Sequence, residues 1–223
     1  MPLQQGGYQL SANMVPKKSK TVVEAEPMSS TIKLADLDDP VVVRVLQATA
    51  LCIARLGPDK TTGDEIAKAS GVSRATLYRR FDNREGIFAS LLYARSIPFV
   101  APVLKLLSGE KNIARRFEDG MVFALLEMSH DPCLNAFYTA GWAFPNLALI
   151  QSAYSHLFGD SIVPLLKTAY QQGEMRRNVP FDALMSWNMT QFLQLASQAP
   201  WEEMALRYQI RHFVIPVLIP DAR

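Results

Sequence analysis

The chain has 223 residues, a formal net charge of +2 and 49% hydrophobic residues. That apolar share is enough for a large core and excludes a disordered acidic or basic tail, and the length fits one large domain or two small ones. Two cysteines, Cys52 and Cys133, exclude a disulfide framework or zinc ribbon and fit a reducing cytoplasm. The early apolar residues (Tyr8, Leu10, Met14, Val15) form no signal-peptide core. Apolar runs are interrupted before membrane-spanning length, so a cytoplasmic protein with no membrane partner is expected.

Residues 1–38 are rich in Gln, Gly, Ser, Lys and Pro without periodicity and read as a disordered extension. Asp39 is a good N-cap and Pro40 a good first helical residue. Val42, Val45, Leu46, Thr49, Ile53 and Leu56 follow at helical spacing, and Gly57-Pro58 stops the helix. Thr62 and Glu65 have the capping-box spacing before a short helix that ends at Ser70-Gly71. Ser73 caps another, Arg74 to Arg80, in which Ala75, Leu77 and Phe81 are expected to face inward. Asp82 and Glu85 repeat the capping spacing before a helix carrying Ile87, Phe88, Leu91 and Leu92.

Charge concentrates in this stretch. Residues 40–92 carry eight basic and five acidic side chains, whereas 93–223 carry eleven of each. Two short helices joined by a glycine-containing turn make a helix-turn-helix, although a plain helical corner with a solvated basic face has the same local pattern. Three features favour DNA. Ser73, Arg74 and Thr76 expose small and hydrogen-bonding groups at the start of the second helix. Tyr78, Arg79 and Arg80 extend its outer face. Thr62 and Arg84 sit at helix N-termini, where backbone N–H groups attract phosphate.

The run from Thr61 to Glu85, with Val45-Leu46-Gln47-Ala48 and Arg55-Leu56-Gly57 before it, closely resembles the DNA-binding domain of TetR-family transcriptional regulators. The resemblance covers about 44–92, with Arg80 where that family often has histidine. It implies an all-α protein: an N-terminal three-helix helix-turn-helix DNA-binding domain over 39–85, and a C-terminal helical ligand-binding and dimerisation domain over 86–223. It places Ser73–Arg80 in the major groove of a double-stranded operator. Arg74 and Thr76 are then the base-edge candidates, Thr62, Ser73, Tyr78, Arg80 and Arg84 the phosphate candidates, and Arg79 suits either role.

Beyond residue 95 helical patterns continue. Pro98 and Pro102 are expected to break the chain after the fourth helix. Asn112–His130 carries Ile113, Phe117, Met121, Leu125 and Met128 on one stripe, and Asp131-Pro132 caps a short helix through Tyr138. Residues 145–158 and 160–172 read as two further helices. The last two, 181–198 and 201–217, occupy the resembled family's dimerisation position and imply a homodimer. The final one divides into a Leu206, Ile210, Phe213, Val217 stripe and a second with Met204, Tyr208, Ile215 and Leu218, so it is either wholly buried or shared with a partner.

Phe117, Met121, Met128, Phe137, Trp142, Tyr154 and Met185 are bulky residues of the middle helices. Such residues are ordinary core or, as the resemblance implies, the wall of a cavity for a small hydrophobic ligand, with Asn135, Gln151 or His156 near its head group. The resemblance implies a repressor released when the ligand shifts the helix starting near Arg84 and moves the heads out of register. An activator, a ligand-independent regulator and a helical interaction scaffold are the alternatives. No catalytic, metal or cofactor site is expected. His130, His156 and His212 are dispersed, no nucleophile elbow, P-loop or zinc-protease motif occurs, and capping explains Asp131 beside His130 and Cys133.

Overall fold

A computed structural model describes residues 32–139, 141, 143 and 146–220. The expectations on residues 1–31 and on Trp142 lie outside these described residues. Within them the chain is helical, with no strand.

Helix α1 (Pro40–Leu56) starts where the Val41 amide donates to Asp39 Oδ1 at 2.8 Å and ends at Gly57, whose φ of 78° suits glycine. Helix α2 (Gly63–Ser70) carries the complete Thr62/Glu65 capping box, and Gly71 closes it in the left-handed conformation. Helix α3 (Arg74–Phe81) begins on Ser73, whose Oγ accepts from the Thr76 amide. Each cap contributes about 1 kcal/mol, so the caps set boundaries while burial supplies most of the stability. Val45, Ile53, Ile66, Leu77 and Phe81 are fully or nearly fully buried, together with Ile87 and Phe88 of helix α4 (Arg84–Leu107).

Several expectations change. Residues 32–38, assigned to the extension, pack on the core: Ala35 is buried and its amide donates to Ser90 Oγ at 3.0 Å, while Ile32 donates to Ser152 Oγ at 3.1 Å. The cap of α4 is Asn83, not Asp82; Asn83 Oδ1 accepts from the Gly86 amide at 2.8 Å, and Asp82 takes a φ of 61° in the turn. Pro98 and Pro102 lie inside α4 and do not end it. They remove only the hydrogen bonds to the Ala94 and Pro98 carbonyls, a loss that packing on both sides offsets.

Helix α4 also qualifies the membrane reading. It is 24 residues long, with a mean hydropathy of 1.6 over its most apolar 18-residue window, which by length and composition alone would cross a membrane. It packs against α1 and α3 at one end and against the later helices along the rest, so its apolarity is that of a core helix.

Helices α5 (Ile113–His130), α7 (Leu147–Phe158) and α8 (Ile162–Gln171) pack on α4, while α6 (Pro132–Thr139) packs on α1 and α5 and α9 (Phe181–Ser197) on α5 and α6. The Cys133 and Leu134 amides donate to Asp131 Oδ1, so Asp131 caps α6. The chain ends in α10 (Glu203–Gln209), a π-helical turn (Ile210–Val214) and α11 (Ile215–Leu218). In that turn the Ile215 amide bonds to the Ile210 carbonyl, five residues back. Pro216 follows at once, and the wider turn relieves the clash its ring would make with the preceding turn of a regular helix.

Candidate nucleic-acid interface and ligand cavity

Helix α3 is anchored by Leu77 and Phe81, both buried. At about 100° per residue, Ala75 and Arg79 point directly away from that anchor. Both are exposed, and Arg79 has no ion-pair partner among the described residues. Ala75 therefore faces out, contrary to the inward packing expected of it. Alanine suits a core and a surface equally, so spacing alone does not choose its face.

The other predicted contacts are partly engaged. Arg74 is exposed and its Nη1 lies 2.9 Å from an Asp64 carboxylate oxygen of α2, which holds the guanidinium across the two helices. Ser73 Oγ donates to Thr76 Oγ1 at 3.0 Å, so the Thr76 hydroxyl is occupied and its methyl remains available. Thr62 Oγ1 lies within the capping box. Tyr78 is half-buried, with its hydroxyl against Gly63 at the start of α2; a β-carbon at Gly63 would lie 2.1 Å from that oxygen. Arg80 reaches back to α1, its Nη2 3.0 Å from Asp39 Oδ2. Arg84 lies over the Phe88 ring, 5.2 Å from its centre. Thr62, Ser73, Arg74, Tyr78 and Arg79 thus lie along the joined α2 and α3, while Arg80 also ties α3 to α1.

A second feature is a cavity of about 300 Å³ between α4, α5, α7, α8 and α9. Phe117, Met121, Tyr154 and Met185 line it, as expected. Met128 and Phe137 do not: both are buried, Phe137 edge-on to Phe88 at 5.4 Å and Met128 with its sulfur 4.0 Å from the Tyr154 hydroxyl. They are core because α5 and α6 turn these positions toward α4 and α7 and away from the opening. Trp142 lies outside the described residues. Of the head-group candidates only Gln151 reaches the cavity; His156 Nδ1 contacts the Ser152 carbonyl at 2.8 Å instead. The wall also includes Val103 and Leu107, so α4 is shared between this cavity and the helix-turn-helix.

The sequence profile of the bacterial regulatory proteins, tetR family, matches residues 45–91, which run from α1 into α4. An HTH-type transcriptional regulator of Mycobacterium tuberculosis (strain H37Rv) is 47% identical over 49 residues, a match spanning 22% of this chain and 26% of that relative. A second regulator from the same strain is 24% identical over 182 residues, covering 79% of this chain and 85% of its own length. Residues 45–91 carry the DNA-binding head of the TetR family. That family and these relatives are transcriptional regulators, not enzymes. The TetR-like architecture extends past the head. The fatty acid degradation regulator FadR from Bacillus halodurans superposes with a TM-score of 0.58 at 17% identity, covering 79% of this chain and 95% of FadR. FadR from Bacillus subtilis, solved in complex with stearoyl-CoA, gives 0.59 at 18% identity, covering 78% and 98%.

Beyond the head, one polar cluster is not apparent from the sequence pattern. Glu118 and Asp119 of α5 are buried, 3% and 8% exposed. Arg211 donates to Glu118 at 2.8 and 3.1 Å, Arg207 donates to Asp119 at 2.7 Å and to Glu118 at 3.2 Å, and Lys111 donates to Asp119 at 2.7 Å. Burial pushes both carboxyls up, but the hydrogen bonds from Arg211 and Arg207 to Glu118, and from Lys111 and Arg207 to Asp119, leave both below their ordinary values. The cluster fastens the last helical segment to the cavity helix α5.

The last segment sorts its apolar residues differently from expectation. Leu206, Ile210, Val214, Ile215 and Leu218 are buried; Met204, Tyr208, Phe213 and Val217 are exposed. The π turn explains the change, because its extra residue makes the step from Tyr208 to Phe213 five and keeps the exposed residues on one stripe. Helix α9 buries only Leu184, Leu193, Leu195 and Ala196 and leaves Trp187, Met189 and Phe192 half-exposed. Cys52 and Cys133 are buried free thiols; burial first, then the Asp131 charge, pushes the Cys133 thiol up to about 12.

Proposed function

We propose that this chain is a cytoplasmic, ligand-responsive TetR-family repressor. It binds a palindromic operator as a homodimer and is released by a small hydrophobic ligand. The observation that carries this reading is the outward face of α3, where Arg79 and Ala75 stand opposite the buried anchor in a head of TetR-family sequence. In the major groove Arg79 bonds guanine and Ala75 meets a thymine methyl, with Arg74 and Thr76 at the flank. Thr62, Ser73, Tyr78 and Arg84 hold phosphates beside the α2 and α4 N-termini. Arg80 serves phosphate less well, since Asp39 already engages it.

Two units follow from the proposed division: a head over 39–85 and a regulatory unit over 86–223, joined by α4. The exposed stripe of the last segment, with Trp187 of α9, forms an isologous dimer interface. A molecule entering the cavity displaces Val103 and Leu107 at one end of α4, and the other end carries the head. The stearoyl-CoA complex of the similarly folded Bacillus subtilis FadR supports a hydrophobic ligand in this architecture.

Gel-shift titration against a genomic fragment pool selected by the protein tests the reading. Binding is expected to weaken steeply with salt, as phosphate contacts require. Arg79→Ala is expected to lose about 1–3 kcal/mol and to relax preference at one base pair. Equal loss on every sequence would make Arg79 a phosphate contact, and no binding even at low salt would end the repressor reading.

A further inference from the structure

The residues around the cavity carry more information than its existence. Eighteen described residues line it, and none is an aspartate, glutamate, lysine, arginine or histidine. A carboxylate or phosphate drawn wholly inside would lose its water and meet no cation, which disfavours burying an anionic group there. The polar groups of the wall are few and partly spent. The Tyr154 hydroxyl is bonded to that of Tyr138, and Ser155 Oγ donates to the Ser152 carbonyl at 2.9 Å. Gln151, Ser186 and Asn188 remain. Of all side-chain polar atoms on the wall, Asn188 Oδ1 alone is buried without a hydrogen-bond partner among the described residues.

Size narrows the class further. An apolar protein cavity of about 150 Å³ accommodates benzene, so one twice as large suits about twelve non-hydrogen atoms. The cavity here, about 300 Å³, is thus smaller than an eighteen-carbon chain, and nothing on its wall answers a nucleotide head group.

Resting on the cavity reading above, we infer that the effector is an uncharged, hydrocarbon-rich molecule of about twelve non-hydrogen atoms bearing a hydroxyl-type donor for Asn188, not a fatty acid or acyl-CoA. The neutral wall admits the hydrocarbon without a desolvated charge. Asn188 Oδ1 has no accessible surface as it stands, so the amide turns over to present that oxygen to the hydroxyl. A charged acyl ligand would satisfy neither requirement.

The test uses the full chain and three probes of similar size at pH 8: 1-decanol, methyl nonanoate and decanoate, with decanoyl-CoA as a fourth. Titration calorimetry is expected to rank decanol first, the ester weaker, and decanoate and decanoyl-CoA at least about tenfold weaker than decanol. Asn188→Leu is expected to erase the preference for decanol over the ester while leaving ester binding intact. Two plugs, Met121→Trp and Ala124→Leu, should each abolish decanol binding, and a retained cooperative thermal transition in either one certifies its fold. Decanoate or decanoyl-CoA binding as tightly as decanol, in a manner the plugs abolish, would overturn the uncharged class while leaving the cavity as the ligand site. Probe binding that both folded plugs leave unchanged, or no binding of any probe, would instead overturn the cavity reading itself.

Discussion

Gly86 shows how tightly single residues fix the head. It lies in the first turn of α4, and a β-carbon there would come within 2.1 Å of the Phe81 carbonyl oxygen. That oxygen belongs to the backbone of the α3–α4 turn, already committed to a positive φ at Asp82, so it has nowhere to retreat. Gly86→Ala is expected to destabilise the protein by about 1–3 kcal/mol in urea unfolding and to weaken operator binding by misplacing α3. Gly63 makes a contrast, because its close neighbour is the tip of the Tyr78 ring, and removing that hydroxyl by Tyr78→Phe should recover part of the loss caused by Gly63→Ala. An unchanged urea midpoint for Gly86→Ala would mean that the turn is softer than its geometry indicates. At this scale much was legible in the sequence. Caps at Asp39, Thr62, Ser73 and Asp131 are local hydrogen bonds, and local spacing predicts them. Asp82-Asn83 offers two adjacent cap candidates for α4, and only the turn geometry selects Asn83. The Arg74–Asp64 and Arg80–Asp39 pairs were not legible, since charge counting does not say which arginine is spent within the protein.

Among the elements, α5 and the last helical segment are joined by the least legible feature of the chain. Glu118 and Asp119 look in sequence like a solvated acidic turn, and the arginines that bury them lie 88 to 93 positions away. Periodicity reports neighbours on one helix and is blind to such partners. The prolines of α4 were misjudged for a related reason: proline costs a helix locally, and tertiary packing on α1, α5 and α7 overrides that cost. The acidic pair makes stability depend on pH with a definite sign. Both carboxyls sit below their ordinary values of 4.5 and 3.8 in the folded protein. Their contribution is therefore complete above those values and is lost as pH falls toward the lowered ones. The urea midpoint is expected to change little through this pair from pH 7 to 5 and to drop below about pH 4.5. Glu118→Gln should cost about 2 kcal/mol at pH 7, because Arg211 is half-exposed and recovers some solvation, and should flatten the acid limb. Parallel wild-type and Glu118→Gln curves down to pH 3 would show that acid acts elsewhere.

For the whole molecule the decisive quantity is the coupling between heads. One head of three short helices presents little surface to DNA, and single non-specific contacts of this kind bind weakly at physiological salt. Joining two heads converts the second contact into an intramolecular one and raises affinity by about two to four orders of magnitude. The proposed joint is the exposed stripe of Met204, Tyr208, Phe213 and Val217, continued on α9. Tyr208 and Phe213 are each 59% exposed in the protomer, so Tyr208→Arg with Phe213→Glu removes little there beyond their ring contacts with each other and with His212. Surface changes of that kind usually stay within about 0.5 kcal/mol of stability. In a dimer both residues are desolvated against their counterparts, where buried charges are poorly tolerated. The double variant is therefore expected to elute as a folded monomer by light scattering, with a thermal transition independent of concentration. It should bind a full operator at least about a hundredfold more weakly than the wild type, and about as well as a half-site of the same sequence. A variant that is monomeric yet binds the full operator with wild-type affinity would place all recognition in a single head. A variant that remains dimeric would move the interface off the last segment, and the stripe exposed by the π turn would need another occupant.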